Sequence, residues 1–225
     1  LEFPPPPPHF YNLKINSPSK PRMHVPPRGL APHVPLRSPI ARDGVSPWFP
    51  VQTGFMRGRS AVDCYWRLAL QMEKAVLSGD EAAAFSLDYA KCFDQIPHSI
   101  LLDTAERAGL HPRLLGPSRF MYTHLTRRYR IGSALGEEHR ATNGILQGCP
   151  LSPLLLNCLV AVWIRAVESE VPGVKTFCYA DDTSVLATGP RPSLPLTAAL
   201  GVTADYVSLT GQQIKLSKSS SFTPT

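Results

Sequence analysis

The sequence contains no C-x-x-C pair and no Cys/His spacing of the kind that holds a metal. Its five cysteines, Cys64, Cys92, Cys149, Cys158 and Cys178, each lie among apolar neighbours, as reduced core residues of an intracellular protein do. A disulfide scaffold and a zinc ribbon are thereby excluded as the basis of the fold. An apolar segment of the signal-peptide type is missing as well, since the proline run Pro4 to Pro8 stands where it would have to be. The longest apolar run, Leu154 to Ile164, is interrupted by Asn157 and too short to span a bilayer, so no membrane partner is expected. Acidic residues are scarce at one end: residues 1–59 hold 8 Lys or Arg against Glu2 and Asp43, whereas residues 60–225 hold 15 of each sign. The whole net charge of +6 therefore belongs to the N-terminal stretch.

Proline is what that stretch has in excess, with 14 of the 24 in the first 50 residues. Residues 1–50 show neither helical nor strand periodicity and read as a Pro-rich, disordered segment, extended around Pro4 to Pro8. A basic arm of this kind suits a polyanionic partner; a solvated tail has the same composition. With 43% hydrophobic and 18% charged residues overall, the remainder can bury the core of one sizeable domain.

Order is expected from Gln52. Ser60 with Asp63 forms a capping-box pair, and Val62, Trp66, Ala69, Met72 and Val76 recur at helical spacing, which predicts an amphipathic core helix stopped by Gly79. Ala82 to Leu87 reads as a buried strand ending in Asp88, and residues 98–108 as a helix with Ile100, Leu101, Ala105 and Ala108 on one face. A basic stretch follows, Arg113, Arg119, Arg127, Arg128, Arg130 and Arg140 against Glu137 and Glu138. It should contain a helix over 120–125 and two strands, 128–134 and 139–143, joined around Gly136. Arginines beside Tyr122 and Tyr129, and Arg57 and Arg59 before the first helix, suit either a nucleic-acid backbone or an ordinary solvated face.

The loop NGILQGCPLSP, Asn143 to Pro153, carries the amide side chain of Gln147 just ahead of a helix that Ser152 should cap and Pro153 should open, running to about Val167. That helix is apolar nearly all round and should be a buried spine. Free N–H groups at its start would favour a phosphate or a base-paired nucleotide beside Gln147 and Gly148. In FCYADDTSV, Phe177 to Val185, short β-prone runs flank Asp181 and Asp182, which predicts a hairpin with the acidic pair at its turn. Adjacent carboxylates repel, and crowding them makes sense chiefly if a cation sits there; a solvated Asp-Asp turn is the plain alternative. A helix over 196–210, a short strand over 213–216, Lys218 and a Ser/Thr-rich tail over 220–225 complete the chain.

Taken in order, D-x-x-x-x-F-D (Asp88 to Asp94), QGCPLSP (Gln147 to Pro153) and YADD (Tyr179 to Asp182) resemble the palm of reverse transcriptases, specifically of the non-LTR (LINE-type) retrotransposon branch. QTGFMRGRS upstream and GQQIKLSKS downstream resemble that branch's flanking blocks, so the resemblance covers about Gln52 to Ser219. It implies an α+β fold, an antiparallel sheet packed on helices, with the palm and partial fingers over 51–219. A thumb is not expected after Lys218, and Leu36 to Ile40 is at best a remnant of a fingers block.

The implied activity is RNA-directed DNA synthesis from dNTPs on an RNA or DNA template and a DNA primer, with two Mg²⁺ ions, Mn²⁺ being an alternative. Asp88 and Asp181 would bridge the ions, Asp182 and the Tyr89 carbonyl would complete the metal site, and Lys218 would assist the leaving pyrophosphate. Phe93 would stack under the sugar and exclude a 2′ hydroxyl, and Gln147 with Gly148 would contact the incoming nucleotide. Lys215 stands where the branch has Asn, and Cys92 where it has a small residue. Two other readings compete: a catalytically inactive retroelement remnant that keeps the palm as a nucleic-acid-binding module, and an RNA-dependent RNA polymerase, which fits Phe93 and QGCPLSP less well. The polymerase reading requires Asp88 and Asp181 to approach closely enough to share an ion. Such a protein would work in the nucleus or the cytoplasm, and the 225-residue chain by itself would be weak or inactive.

Overall fold

The computed structural model describes residues 52–222. The Pro-rich reading of 1–50 and the block at Leu36 to Ile40 lie outside the described residues.

The sheet is built from segments far apart in sequence. Strand β1 (Ala82–Leu87) runs antiparallel between β5 (Asp182–Thr188) and β6 (Ser220–Phe222), and β4 (Val174–Tyr179) closes the other edge, giving the order β4-β5-β1-β6. Both faces are covered, which is why β1, apolar but for Ser86, shows no alternation. Ala83, Phe85 and Leu87 join Cys178, Val185 and Ala187 on one face, against α5 (Ser152–Glu170), α6 (Ser193–Thr210) and, behind them, α3 (His98–Arg107). Ala82 and Ala84, with Phe177 and Leu186, face the opposite way against α1 (Ala61–Leu77). The remaining helices are α2 (Cys92–Gln95) and α4 (Pro112–Thr123); β2 (Thr126–Ile131) and β3 (Ala134–Arg140) form a separate two-stranded ribbon. The architecture is the expected α+β one, with an antiparallel sheet on helices.

Helix α1 starts as its sequence demands. The Ser60 hydroxyl accepts from the Asp63 N–H, the Asp63 carboxylate accepts from the Ser60 N–H at 2.6 Å, and Gly79 takes φ +70 beyond the C-terminus. Its buried face coincides only in part with that expected, at Met72. Cys64, Leu68, Met72 and Ala75 pack on the sheet, while Val62, Trp66 and Val76, read as core positions, point outward together with Tyr65 and Leu77. The helix carries two apolar stripes, and periodicity alone cannot say which of them meets the sheet.

Helix α5 is the expected spine: Leu155, Leu156, Leu159, Trp163, Ile164 and Val167 are all buried. At 19 residues it is long and apolar enough by composition to cross a membrane, yet most of its surface is covered by β4, α3 and α6, as in the core helix of a globular domain. Ser152 is not its N-cap. Leu151 holds that position, and the Ser152 hydroxyl donates to the Leu146 carbonyl, tying the helix to the loop before it. Trp163 Nε1 donates to Thr203 Oγ1 at 3.0 Å, which joins α5 to α6 in the interior.

Four local boundaries also differ from expectation. The helix expected over 120–125 extends back to Pro112 with its proline in the first turn. The ribbon turns at Gly132, φ +60, and Gly136 lies within β3 opposite Tyr129. Residues 213–216 make only an isolated bridge, Ile214 with Tyr89, before a short 3-10 turn, Leu216–Lys218. Ser220–Phe222, read as part of a tail, pair with Ala84 to Ser86 as β6. Two serines and one phenylalanine are too short a run to show alternation, and the partner strand supplies the pairing.

Candidate active site

The β1–β5 register places Leu87 opposite Thr183, so the next residues outward, Asp88 and Asp182, emerge at the same edge of the sheet. Tyr179 pairs with Asp182, which leaves Ala180 and Asp181 as the two residues of the hairpin turn. The hairpin is as expected, but the acidic pair is divided: Asp181 sits in the turn and Asp182 begins β5. Ala180 takes φ +56, a left-handed conformation that is uncommon for a residue with a Cβ.

The conformation of that turn is held from outside the sheet. Gln52 Nε2 donates to the Ala180 carbonyl at 3.1 Å, and Gln52 Oε1 accepts from the Ala180 N–H at 3.1 Å and from the Gly54 N–H at 2.9 Å. Beside it, Thr53 donates from both its N–H and its hydroxyl to the Cys178 carbonyl, each at 2.9 Å. Asn157, on α5, donates to the Gly54 carbonyl at 3.2 Å.

A third segment reaches the same edge from the end of the chain. The Lys215 N–H donates to the Asp88 carbonyl at 2.7 Å, the Asp88 N–H donates to Ser219 Oγ at 3.2 Å, and Lys218 Nζ stands 4.0 Å from Asp88 Oδ2. The Ala90 N–H donates to the Gln213 carbonyl, so neither of these ladder bonds uses the Tyr89 carbonyl. The Tyr89 side chain turns into the core, where burial raises its phenol well above the ordinary range despite the Thr183 hydroxyl beside it.

Negative charge accumulates at this edge. Asp182 is pushed above the usual carboxylate range, first by partial withdrawal from water and then by the charges of Asp181 and Asp88. Burial drives the Cys92 thiol up to about 12; Asp181 and Asp88 add to the effect, and a hydrogen bond from Gln212 opposes it. The oxygen donors are hard ligands suited to Mg²⁺ or Mn²⁺, and the mutual repulsion recorded at Asp182 is what a cation would relieve. The carboxylates do not form a closed cage. Among the described residues no group of three or more His, Cys, Asp or Glu side chains could hold a metal ion by itself.

The glycine loop lies against the segment that follows β1. Gln147 Nε2 is 3.4 Å from Asp94 Oδ1, the Ile145 N–H donates to the Phe93 carbonyl, and the Gly144 N–H donates to the Ile96 carbonyl. Phe93 is half-buried against the core. Gly148 has φ +88 with open space where a side chain would be, and Gln147 beside it is exposed.

Residues 36–225 match the family model for reverse transcriptase (RNA-dependent DNA polymerase). The chain belongs to that family. Among its relatives are the Transposon TX1 149 kDa protein of Xenopus laevis, 26% identical over 76% of this chain, and the Pol polyprotein of the type-2 retrotransposable element R2DM of Drosophila melanogaster, 26% identical over 76%. The chain spans only 14% and 16% of those two proteins. Solved structures of telomerase from Candida tropicalis share the fold: one covers 78% of this chain and 30% of its own with a TM-score of 0.62 at 10% identity, and the apo form truncated from its C-terminal domain covers 79% and 37% with 0.59 at 12%. Pol polyproteins of R2 retrotransposable elements, from Nasonia vitripennis, Drosophila melanogaster and Popillia japonica, are among the relatives of this reverse transcriptase domain, in keeping with the resemblance of its sequence blocks.

Sequence reading of the reverse transcriptase domain missed Gln52, Thr53, Asn157, Gln212 and Ser219. Each acts through a partner far away in the chain, and nothing in its neighbourhood announces that. The one local signal was Gly54: a Cβ there would lie 2.1 Å from the Ala180 nitrogen, so the QTGF segment can pass the turn only as glycine. Arg57 and Arg59 are exposed, in the loop before α1. The β2–β3 ribbon is solvent-facing on both sides, with Arg128 paired to Glu138 at 2.7 Å and Tyr129 stacked on His139.

Proposed function

We propose that this domain carries the nucleotidyl-transfer centre of a retroelement polymerase: it joins the 3′ oxygen of a DNA primer to the α-phosphorus of a dNTP, with release of pyrophosphate, along an RNA or DNA template. What supports the reading above all is the emergence of Asp88 and the Asp181–Asp182 pair at one edge of the sheet, with Lys218 4.0 Å from Asp88. Reverse transcriptases in general use divalent metals, and here Asp88, Asp181, Asp182 and the Tyr89 carbonyl would hold two Mg²⁺. When bound, such ions supply Lewis acidity at the attacking and leaving oxygens.

The chain's own residues do the rest. Asp182 opens β5, Asp88 follows the end of β1 and Asp181 sits in the turn that Gln52 holds, so little reorganisation is needed as charge develops. Lys218, 4.0 Å from Asp88 Oδ2, would neutralise or protonate a departing phosphate oxygen. Phe93, beside the Gln147–Asp94 contact, closes the space under a sugar against a 2′ hydroxyl, and Gln147 and Gly148 leave an open, polar rim for the incoming nucleotide. The basic β2–β3 ribbon, with the Tyr129–His139 stack, offers phosphate contacts and a stacking surface to the template strand.

Primer extension on poly(rA)·oligo(dT) with dTTP and Mg²⁺, by a protein that contains this domain, tests the assignment. Asp181→Asn and Asp88→Asn should each lower the rate by at least about 100-fold, the scale of removing a principal charge-stabilising group. Normal polymerisation by either variant would sink the proposal.

A further inference from the structure

The hairpin turn that carries Asp181 has a demanding backbone. Two residues reverse the chain between Tyr179 and Asp182, and the first is an alanine with φ +56. A turn of this kind would be at ease with glycine. The Ala180 peptide groups also lie in the interior, away from water that could satisfy them: Ala180 is 7% exposed. Both are satisfied by one side chain. Gln52, itself 2% exposed, donates to the Ala180 carbonyl and accepts from the Ala180 N–H, closing on the turn as a strand would.

The grip on Gln52 is as tight as its grip on the turn. Its Oε1 also accepts from the Gly54 N–H, so the amide cannot flip without leaving a donor facing a donor. Thr53 fastens the same segment to the Cys178 carbonyl, two residues before Ala180. Asn157 fastens it to the spine through the Gly54 carbonyl. The approach is so close that a Cβ on Gly54 would strike the Ala180 backbone. Gln52 touches no atom of the carboxylates; it acts on the backbone that presents one of them.

We propose that Gln52 is a positioning residue for the metal site: by bracketing the Ala180 peptide it holds the turn in its left-handed form and thereby fixes where the Asp181 carboxylate meets a divalent cation. This rests on the proposed metal site. Without the bracket Ala180 relaxes toward negative φ, the turn opens, and Asp181 leaves the edge it shares with Asp88 and Asp182. The loss is specific to the turn, because Thr53 and Asn157 still tether the segment.

Mn²⁺ binding to the 225-residue chain, measured by EPR titration alongside thermal unfolding, tests this. Gln52→Leu keeps the side chain's approximate size and removes the two bonds with Ala180 together with the one from the Gly54 N–H; it should weaken Mn²⁺ binding about tenfold or more while the protein still unfolds cooperatively. Adding Ala180→Gly, which lets the turn take positive φ without help, should recover most of that affinity, a rescue that a packing role for Gln52 would not show. Wild-type affinity in a folded Gln52→Leu protein overturns the inference, as does a double variant that recovers nothing or does not fold, since Gln52 would then serve the fold at large. Asp181→Asn separates the two levels. If it leaves Mn²⁺ binding intact, the metal-site reading itself fails; if it abolishes binding while Gln52→Leu does not weaken it, only the role of Gln52 falls.

Discussion

Gly54→Ala should destabilise the domain far more than a glycine-to-alanine change ordinarily does. The added methyl would lie 2.1 Å from the Ala180 nitrogen and 2.8 Å from its Cα. Both are backbone atoms of a hydrogen-bonded turn, so no side-chain rotation relieves the overlap and the 52–54 segment has to withdraw. Withdrawal breaks the Gln52 bonds to Ala180 and the Asn157 bond to the Gly54 carbonyl, three buried contacts at 3.1, 3.1 and 3.2 Å. At about 1 kcal/mol for each buried bond the loss is about 3 kcal/mol. The melting temperature should therefore fall by about 6–12 °C, taking 2–4 °C per kcal/mol for a domain of this size. Thermal unfolding followed by circular dichroism reads the shift. Gly201→Ala is the control: it lies within α6, its added Cβ meets nothing within 4 Å, and it should be neutral or stabilise by up to about 1 kcal/mol. A Gly54→Ala protein that melts within a degree of the parent would refute the close-approach argument, and with it the idea that this segment braces the turn.

Three further outcomes can be checked. Thr203→Val should cost about 1–3 kcal/mol in urea denaturation, because it keeps the shape but strands the Trp163 indole N–H in the interior; Thr203→Ser should restore most of it. If the proposed polymerase activity holds, Phe93→Ala should raise ribonucleotide incorporation relative to deoxynucleotide incorporation in primer extension, and unchanged selectivity would leave Phe93 a packing residue. The third concerns pH. Hydrogen bonds from Ser60 hold the Asp63 carboxyl below its ordinary 3.8, so its contribution to α1 is fully present above 3.8 and is lost as pH falls through the lower folded value. The gap in melting temperature between the parent and Asp63→Ala should be constant at pH 5–7 and narrow below about 3.8; a gap that widens in acid would contradict the capping box.

Much of the domain is written locally. Ala82 to Leu87 names a buried strand because both of its faces are apolar; Ser60 and Asp63 name a helix start because their bonds close within one turn; YADD between two β-prone runs names a hairpin. The order of Asp88, QGCPLSP and YADD was enough to identify the family, since chemistry that needs those groups from separate elements constrains their sequence more tightly than packing does.

What only the tertiary structure decided depends on partners distant in the chain. A helix with apolar residues on two stripes does not say which stripe meets the sheet, and α1 presents Cys64, Leu68 and Met72 to it while Trp66 and Val76 face out. Ser220–Phe222 become a strand because β1 has an open edge, not because serines favour one. Gln52 reads as a loop amide until Ala180, 128 residues later, lies beneath it. The carboxylates could be read from the sequence because their blocks resemble the family's blocks residue by residue. The groups that hold the backbone beside them could not, because a hydrogen bond is set by distance in space, and residue type alone leaves its partner open.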